Sequence, residues 1–236
     1  MQKKPLFWII LAGVMLGGAF LLYRAIQPGS ARTISVMEWI RHPEAHADWS
    51  AHAGTHCVPG APFLMPTDGL IGYLWDDSFR PGHRHSGLDI FGGTPVGVTP
   101  VIAAASGYLS RDVDWKSAVI MRLLSDPLEP SRQIWLYYTH MADPEGNSFI
   151  SSEFPPGTAE KYTEAGTFLG YQGNYTGNSA NPSGVHLHFS IVQSDAQGKY
   201  KNELEIGNTL DPSPYFGIPL NRKTAPEGMA LCNSGE

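Results

Sequence analysis

The chain has 236 residues, a length that suits one domain of ordinary size. Its formal net charge is −6, and only 16% of its residues are charged. This balance excludes a general basic surface for nucleic acid, and the sequence has no glycine motif that cradles phosphate. With 26 glycines and 19 prolines, the composition favours a turn-rich β protein over a helical bundle.

The first predicted element is a membrane-spanning helix over residues 5–23, PLFWIILAGVMLGGAFLLY, which holds no charged residue. At 1.5 Å per residue this segment spans about 28 Å, close to the hydrocarbon thickness of a bilayer. Lys3 and Lys4, in a stub of residues 1–4, favour a cytoplasmic N-terminus, so we expect the rest of the chain outside the cytoplasm. The alternative is a signal peptide cleaved near GSA at 29–31, but the apolar run is long for one.

The remaining chain divides into a stalk, a β region and a tail. Residues 24–58 are the predicted stalk, with a short helix around 34–41 that ends before a proline. From 59 to 220, short β-like runs alternate with turn signals, which predicts an all-β domain, an antiparallel sandwich or barrel. The predicted strands lie in GLIGYL, GLDIF, PVIAAASGYLS, SAVIMRLL, QIWLYYTHM, TFLGYQG and VHLHFSIV. Residues 143–166 are predicted to be a polar loop with a short helical turn, and 221–236 a polar tail.

Two cysteines, Cys57 and Cys232, flank the predicted β region. A location outside the cytoplasm favours a disulfide between them. In the chain-entropy model, a bridge that closes so long a loop stabilises the fold by up to about 5 kcal/mol. Two free thiols are the alternative.

The run VHLHFSI places His186 and His188 one residue apart in a predicted strand. Side chains at i and i+2 point to the same face, so the two imidazoles project together, away from Leu187 and Phe189. One of them could bind a metal while the other works beside it. Two hydrogen-bonded histidines on a half-exposed sheet face are the alternative.

The other seven histidines divide between the stalk and the β region. They are His42, His46, His52, His56, His83, His85 and His140. The stalk histidines have H-x-x-x-H spacings, but a proline and a glycine interrupt the helix that each pair would need, so we expect them to be solvated. In the β region, His85 and Asp89, with one histidine of the H-x-H strand, would supply two nitrogens and one carboxylate. Such a set leaves one corner of a tetrahedral zinc site open for water.

The stretches HSGLD, YTHM and HLHF, in this order, resemble the motifs of the lysostaphin-type zinc endopeptidases, a peptidoglycan-cleaving family. The resemblance covers roughly residues 62–216 and extends to GTPVGVTPVIAAASGYLS and to GNYTGNSANPSGVHLHFSI. It departs at Val185 and Ser190, where proline and an acidic residue are common in the family. The resemblance implies an antiparallel β peptidase domain of the duplicated hybrid motif type, with bound Zn²⁺.

Carried onto this chain, the resemblance makes His85, Asp89 and His188 the zinc ligands and His140 and His186 the catalytic histidines. Zinc lowers the pKa of a bound water toward about 7. A nearby imidazole can then take the proton or donate a hydrogen bond to the developing oxyanion.

Several neighbours of these motifs have predicted roles. His83 is expected to be an outer-shell or surface residue. If the strand alternates, one of Tyr137 and Tyr138 should be in the core and the other should face the groove. Asn174, in QGNYTGNS, could hydrogen-bond peptide substrate, with turn chemistry as the alternative.

These observations predict a single-pass membrane protein whose zinc metalloendopeptidase domain hydrolyses peptide bonds in peptidoglycan cross-links or stem peptides outside the cytoplasm. Signal cleavage would make the same domain a secreted one. The expected partners are the peptidoglycan peptide and the membrane, and not nucleic acid. One alternative is a catalytically silent domain of the same fold that binds cell wall and activates another hydrolase, but all five site positions are filled. A phosphocarrier of similar β-fold is less favoured, because no phosphoenolpyruvate-fed partner acts outside the cytoplasm.

Overall fold

The structure, a computed structural model, describes residues 11–20, 28–77, 82–225 and 229–232. Residues 11–20 form a helix, α1, whose side chains are all exposed. Within the described ranges, no helix is both long enough and apolar enough to cross a membrane. The predicted membrane segment, residues 5–23, lies partly outside the described residues, and the stub of residues 1–4 lies wholly outside them. The membrane anchor therefore stays a prediction.

Most of the regular elements in the described chain are short antiparallel strands. They are β1 (Ser50–Ala51), β2 (Gly69–Tyr73), β3 (Leu88–Phe91), β4 (Pro100–Ile102), β5 (Gly107–Ser110), β6 (Val119–Leu123), β7 (Ile134–Thr139), β8 (Lys161–Thr163), β9 (Phe168–Tyr171), β10 (Leu187–Gln193) and β11 (Thr209–Leu210). The helices that accompany them are α2 (Pro28–Arg41), α3 (Ser213–Phe216) and the 3-10 helices Pro43–Trp49 and Ile206–Asn208. The prediction of an antiparallel all-β domain is confirmed.

The described strands form one large sheet and one small sheet. The large sheet has the order β1-β2-β3-β10-β7-β6-β5-β8, with β11 paired to β10, and the small sheet pairs β4 with β9. Val101 of β4 and Leu169 of β9 belong to the same buried cluster as Leu88, Leu136 and Phe189 of the large sheet. The small sheet therefore packs against the large one, and the predicted sandwich has two layers of very unequal size.

Each of the seven predicted β-like runs contains a strand, because apolar and β-branched residues there can face a buried layer. The strands without such a run, β1, β8 and β11, are two or three residues long. In the predicted insertion of residues 143–166, β8 pairs with β5, and the expected helical turn is absent from this fully described segment. Tertiary pairing, rather than local propensity, places β8.

Helix α2 packs on β2 instead of standing apart from the sheet. Its Val36 and Trp39 form a second buried cluster with Leu70 and Phe91. The helix ends before Pro43, as predicted, but begins at Pro28 rather than near residue 34. Described residues of the predicted stalk therefore contact the β domain directly.

Cys57 and Cys232 are joined by a disulfide, and both side chains are buried in the main core. The bond links two positions that are 175 residues apart. It thus ties the segment that enters the β domain to the segment that leaves it, which restricts the unfolded chain more than a short loop would.

Candidate active site

Neighbouring strands of the large sheet bring the three histidine-containing motifs together. In the pairing of β3 with β10, Asp89 lies opposite His188, and in the pairing of β10 with β7, His188 lies opposite Thr139. Thr139 is followed directly by His140. Because β10 is the central strand of the three, residues about 50 to 100 positions apart in sequence meet on one face.

His85, Asp89 and His188 form a compact group of donor atoms. Nε2 of His85 lies 3.0 Å from Oδ1 of Asp89 and 3.1 Å from Nδ1 of His188. Nδ1 of His188 lies 2.8 Å from the same Asp89 oxygen. One ligand atom from each residue lies within 4.8 Å of the others, and no other such group with three or more His, Cys, Asp or Glu residues occurs in the described residues.

Each of the two histidines among the candidate ligands has a partner at its second ring nitrogen, and this partner orients the ring. Nδ1 of His85 donates to the backbone carbonyl oxygen of Leu74 at 2.9 Å, so Nε2 is the nitrogen that faces Asp89 and becomes available to a metal when the ring is neutral. Nε2 of His188 lies 2.9 Å from Oγ of Ser190, a side chain that is 1% exposed. Such outer partners hold metal-binding imidazoles in the correct orientation and tautomer.

His140 and His186 lie beside this group with their rings held in a similar way. Nδ1 of His140 donates to the carbonyl oxygen of Tyr175, and Nδ1 of His186 donates to that of Gly184 at 2.7 Å. The two ring centroids are 4.5 Å apart, and Nε2 of His186 lies 3.5 Å from Oδ1 of Asp89. In neutral form, each ring therefore carries its free lone pair on Nε2.

Burial and the Asp89 charge control the protonation of the site. Burial lowers the pKa of His140 to about 4, with His186 acting in the same direction. Burial also lowers the pKa values of His186 and His188. Burial disfavours the charged form of His85 too, but the Asp89 carboxylate outweighs it and raises the pKa of His85.

The carboxylate itself stays ionised. Burial alone would raise the pKa of Asp89, but the neighbouring imidazoles of His85 and His186 hold that pKa well below its usual range. At neutral pH the site thus offers one carboxylate and, on His140, His186 and His188, neutral imidazoles. A metal that binds there would displace the proton that Asp89 favours on His85.

The backbone around His140 is tightly packed. His140 itself has φ of +73°, a left-handed conformation that is uncommon for residues other than glycine. A Cβ atom on Gly173 would lie 2.2 Å from the carbonyl oxygen of Ala142 and 2.5 Å from that of His140. The amide of His186 also donates to the carbonyl oxygen of Gly173. Glycine at position 173 therefore lets one loop contact the segments of both catalytic candidates.

The other residues singled out from the sequence lie around this centre. Tyr138 is fully buried in the core, whereas Tyr137 is partly exposed with its ring 6.3 Å from that of His188, so the predicted alternation is confirmed. His83 is partly buried outside the donor group. Oδ1 of Asn174 is buried and has no hydrogen-bond partner among the described residues.

Sequence reasoning missed the groups that hold these side chains. The Leu74 and Tyr175 acceptors are backbone carbonyls, which any residue type supplies. In the sequence, Ser190 stands out only as a departure from the family pattern, although its i+2 spacing from His188 places both side chains on one face. Gly173 lies in the glycine-rich approach to the H-x-H strand, but nothing local distinguishes it from the glycines of ordinary turns.

The donor set fits a divalent metal such as zinc. Two imidazole nitrogens and one carboxylate oxygen from three different positions are the ligand types of catalytic zinc sites, in which a fourth position is left for water or substrate. The oriented second nitrogens of His85 and His188 are a further feature of such sites.

Neither a protein-family model nor a curated protein sequence matches this chain. Among solved structures, the catalytic domain of lysostaphin from Staphylococcus simulans matches with 19% identity over 61% of this chain and 88% of that chain, at a TM-score of 0.39. Lysostaphin from the same organism matches with 17% identity over 71% of this chain and 55% of that chain, also at 0.39. A zinc-containing peptidase from Vibrio cholerae matches with 17% identity over 66% and 40%, at 0.35. This chain resembles lysostaphin-type peptidases in its motifs. It spans only about half of the lysostaphin chain in the second of these comparisons.

Proposed function

We propose that this chain is a zinc metalloendopeptidase of the lysostaphin type that hydrolyses peptide bonds in peptidoglycan cross-links or stem peptides. One observation carries the proposal: His85, Asp89 and His188 form a metal-ligand group, and two further imidazoles, of His140 and His186, lie beside it. A purely structural metal site does not need the additional imidazoles of His140 and His186. Each of these rings presents an oriented, unprotonated nitrogen.

Nε2 of His85, Oδ1 of Asp89 and Nδ1 of His188 would hold the metal, because these are the atoms that face one another. Bound zinc would supply a Lewis acid and lower the pKa of water toward about 7. Asp89 also offsets part of the metal's charge, and its carboxylate is already ionised at neutral pH.

His140 and His186 are the proposed acid–base pair. Their Nδ1 protons are held by backbone carbonyls, so Nε2 is the atom that accepts a proton from the nucleophile and passes it to the leaving amine. Both rings have lowered pKa values through burial, and they are therefore unprotonated and able to accept a proton at neutral pH. Once protonated, His186 would be stabilised by Asp89, whose Oδ1 lies 3.5 Å away.

Asn174 is the proposed substrate contact. Its Oδ1 atom lacks a hydrogen-bond partner among the described residues, and its own amide donates to the carbonyl oxygen of Ala142 beside the His140 segment. A peptide N–H of the substrate would supply the missing donor.

We also place the catalytic domain outside the cytoplasm, anchored by a single membrane-spanning helix over residues 5–23. Support comes from the 19 uncharged residues of that segment and from Lys3 and Lys4 before it. The disulfide between Cys57 and Cys232 fits an oxidising compartment.

The test is digestion of purified peptidoglycans of known cross-link chemistry by the full-length protein, with identification of the new amino termini. New termini should appear with the wild-type protein and not with Asp89→Asn. If the protein binds zinc but releases no termini from any peptidoglycan, the silent, hydrolase-activating alternative is favoured. If it binds no zinc, the proposal is wrong.

A further inference from the structure

Helix α2 forms a buried ion pair with the turn that precedes the candidate ligand His85. Nε of Arg32 lies 3.0 Å from Oδ2 of Asp77, and the two residues are 2% and 0% exposed. They are 45 positions apart in sequence. Buried charges are costly unless they are paired, so this contact is a specific feature of the fold rather than a surface ion pair.

The Asp77 turn holds both the backbone and the ring of His85. The carboxylate of Asp77 accepts a hydrogen bond from the amide of Leu74 at 2.7 Å, and its backbone carbonyl accepts one from the amide of His85 at 2.8 Å. The carbonyl of Leu74 in turn accepts the Nδ1 proton of His85. Arg32 is therefore connected to the His85 ring through the side chain of Asp77 and the backbone of Leu74.

The same helix also supports the H-x-H motif that contains His186. Nε1 of Trp39 donates to the backbone carbonyl oxygen of Phe91 at 2.7 Å. The Phe91 ring is stacked on that of His186, with centroids 4.9 Å apart. Contacts from α2 thus reach a candidate metal ligand at one end and a candidate acid–base residue at the other.

We propose that Arg32 is a positioning residue for His85, and that α2 belongs to the metal centre instead of serving only as a spacer. The inference rests on the proposed function, since it requires His85 to bind the metal. Without Arg32, the buried Asp77 carboxylate has lost the guanidinium with which it is paired. The carboxylate must then become protonated or turn away from Leu74. The acceptor that orients the His85 ring then shifts, and metal affinity falls.

The experiment measures the zinc dissociation constant of the full-length protein by competition with a chromophoric chelator. The main variant is Arg32→Met combined with Asp77→Asn, because it leaves neither partner as an unpaired buried charge. Changes in the outer partners of metal ligands typically weaken binding about 10- to 100-fold, and we expect a loss of that size. Arg41→Met, at an exposed arginine in the last turn of the same helix, is the matched control and should stay within about twofold of wild type.

A second variant covers the case in which the double variant does not fold. Arg32→Lys keeps the charge and most of the packing but loses the planar guanidinium. We expect an affinity loss of at least about threefold, which is smaller than the range of about 10- to 100-fold for the loss of an outer partner. Thermal unfolding of the zinc-free proteins identifies which variants are folded at the temperature of the titration. Wild-type zinc affinity in the folded variants would overturn the inference while leaving the proposed function intact. Absence of zinc binding by the wild-type protein would instead contradict the proposed function.

Discussion

Nδ1 of His140 donates to the backbone carbonyl oxygen of Tyr175 across 2.6 Å. A carbonyl oxygen can only accept, so this contact determines the tautomer of the neutral ring and leaves its lone pair on Nε2. The ring centroid lies 4.5 Å from that of His186 and 6.3 Å from that of His188. The contact depends on the loop after β9, which approaches the His140 segment closely at Gly173. Loop packing therefore decides which nitrogen of His140 is available for chemistry.

His140→Asn should retain zinc and lose most peptidase activity. Asparagine can still donate to Tyr175 and tolerates the positive φ at this position, so the fold should be kept. Removal of one acid–base group lowers turnover by about 10²- to 10⁴-fold. Zinc content and peptidoglycan hydrolysis would be measured on the same preparation, with His186→Ala expected to behave alike. Near wild-type turnover in both variants would refute the proposed mechanism.

Replacing any one of His85, Asp89 and His188 by alanine should remove the bound zinc, because each supplies one of the three donors. His83→Ala, from the same stretch of sequence but outside the donor group, is the matched control and should retain it. Metal analysis after dialysis measures the difference. Full zinc occupancy in a ligand variant would remove that residue from the ligand set.

Ser190→Ala should weaken zinc binding by about tenfold while leaving the sheet intact. With metal on Nδ1, the Nε2 proton of His188 needs an acceptor, and the hydroxyl of Ser190 is 2.9 Å away. A hydroxyl can also donate when the metal-free ring reverses its tautomer, which alanine cannot do. The check is the zinc dissociation constant, with Ser190→Thr as the variant that keeps the hydroxyl. Equal affinity in the alanine variant and the wild type would show that Ser190 does not orient His188.

Gly173→Ala should destabilise the protein by about 1 to 3 kcal/mol, the usual cost of inserting a methyl group into a packed region. The added Cβ would meet two backbone carbonyl oxygens, which cannot rotate away as a side chain would. We also expect reduced activity, because the carbonyl oxygen of Gly173 accepts a hydrogen bond from the amide of His186. Gly207→Ala, where a Cβ would meet nothing within 4 Å, is the control. Denaturant unfolding of both variants gives the comparison, and equal stability would contradict the close packing.

The zinc-free protein should lose stability as the pH falls from about 7 to about 4. In that interval the unfolded chain protonates residue 140 near its ordinary pKa of 6.5, whereas the folded state, with a pKa of about 4, does not. The unfolded state then binds more protons, so the free energy of unfolding falls with decreasing pH, by at most about 3 kcal/mol from this residue. Denaturant unfolding of chelator-treated protein across this range should show a shallower dependence for His140→Asn. An identical dependence would mean that His140 is not buried in its neutral form.

Much of the fold was predictable because local pattern and burial agree in its longer strands. The runs that hold β2, β3, β6, β7 and β10 alternate or are continuously apolar, and each forms a strand in the large sheet. The short strands β1, β8 and β11 were not predictable, because their two or three residues become strands only through pairing with a neighbour. A helix in the region of α2 was predictable, but its packing against β2 was not, because no local pattern in the sequence indicates that contact.

The sequence by itself determined which donor types are available and that His186 and His188 share a face, since strand periodicity requires it. Only the tertiary structure decided that β3, β7 and β10 are neighbours, and hence that Asp89 lies opposite His188. It also decided which nitrogen of each ring faces the centre, because the partners are the backbone carbonyls of Leu74, Tyr175 and Gly184. Backbone groups are the same at almost every position, so their roles depend on how distant segments pack and leave no trace in residue identity.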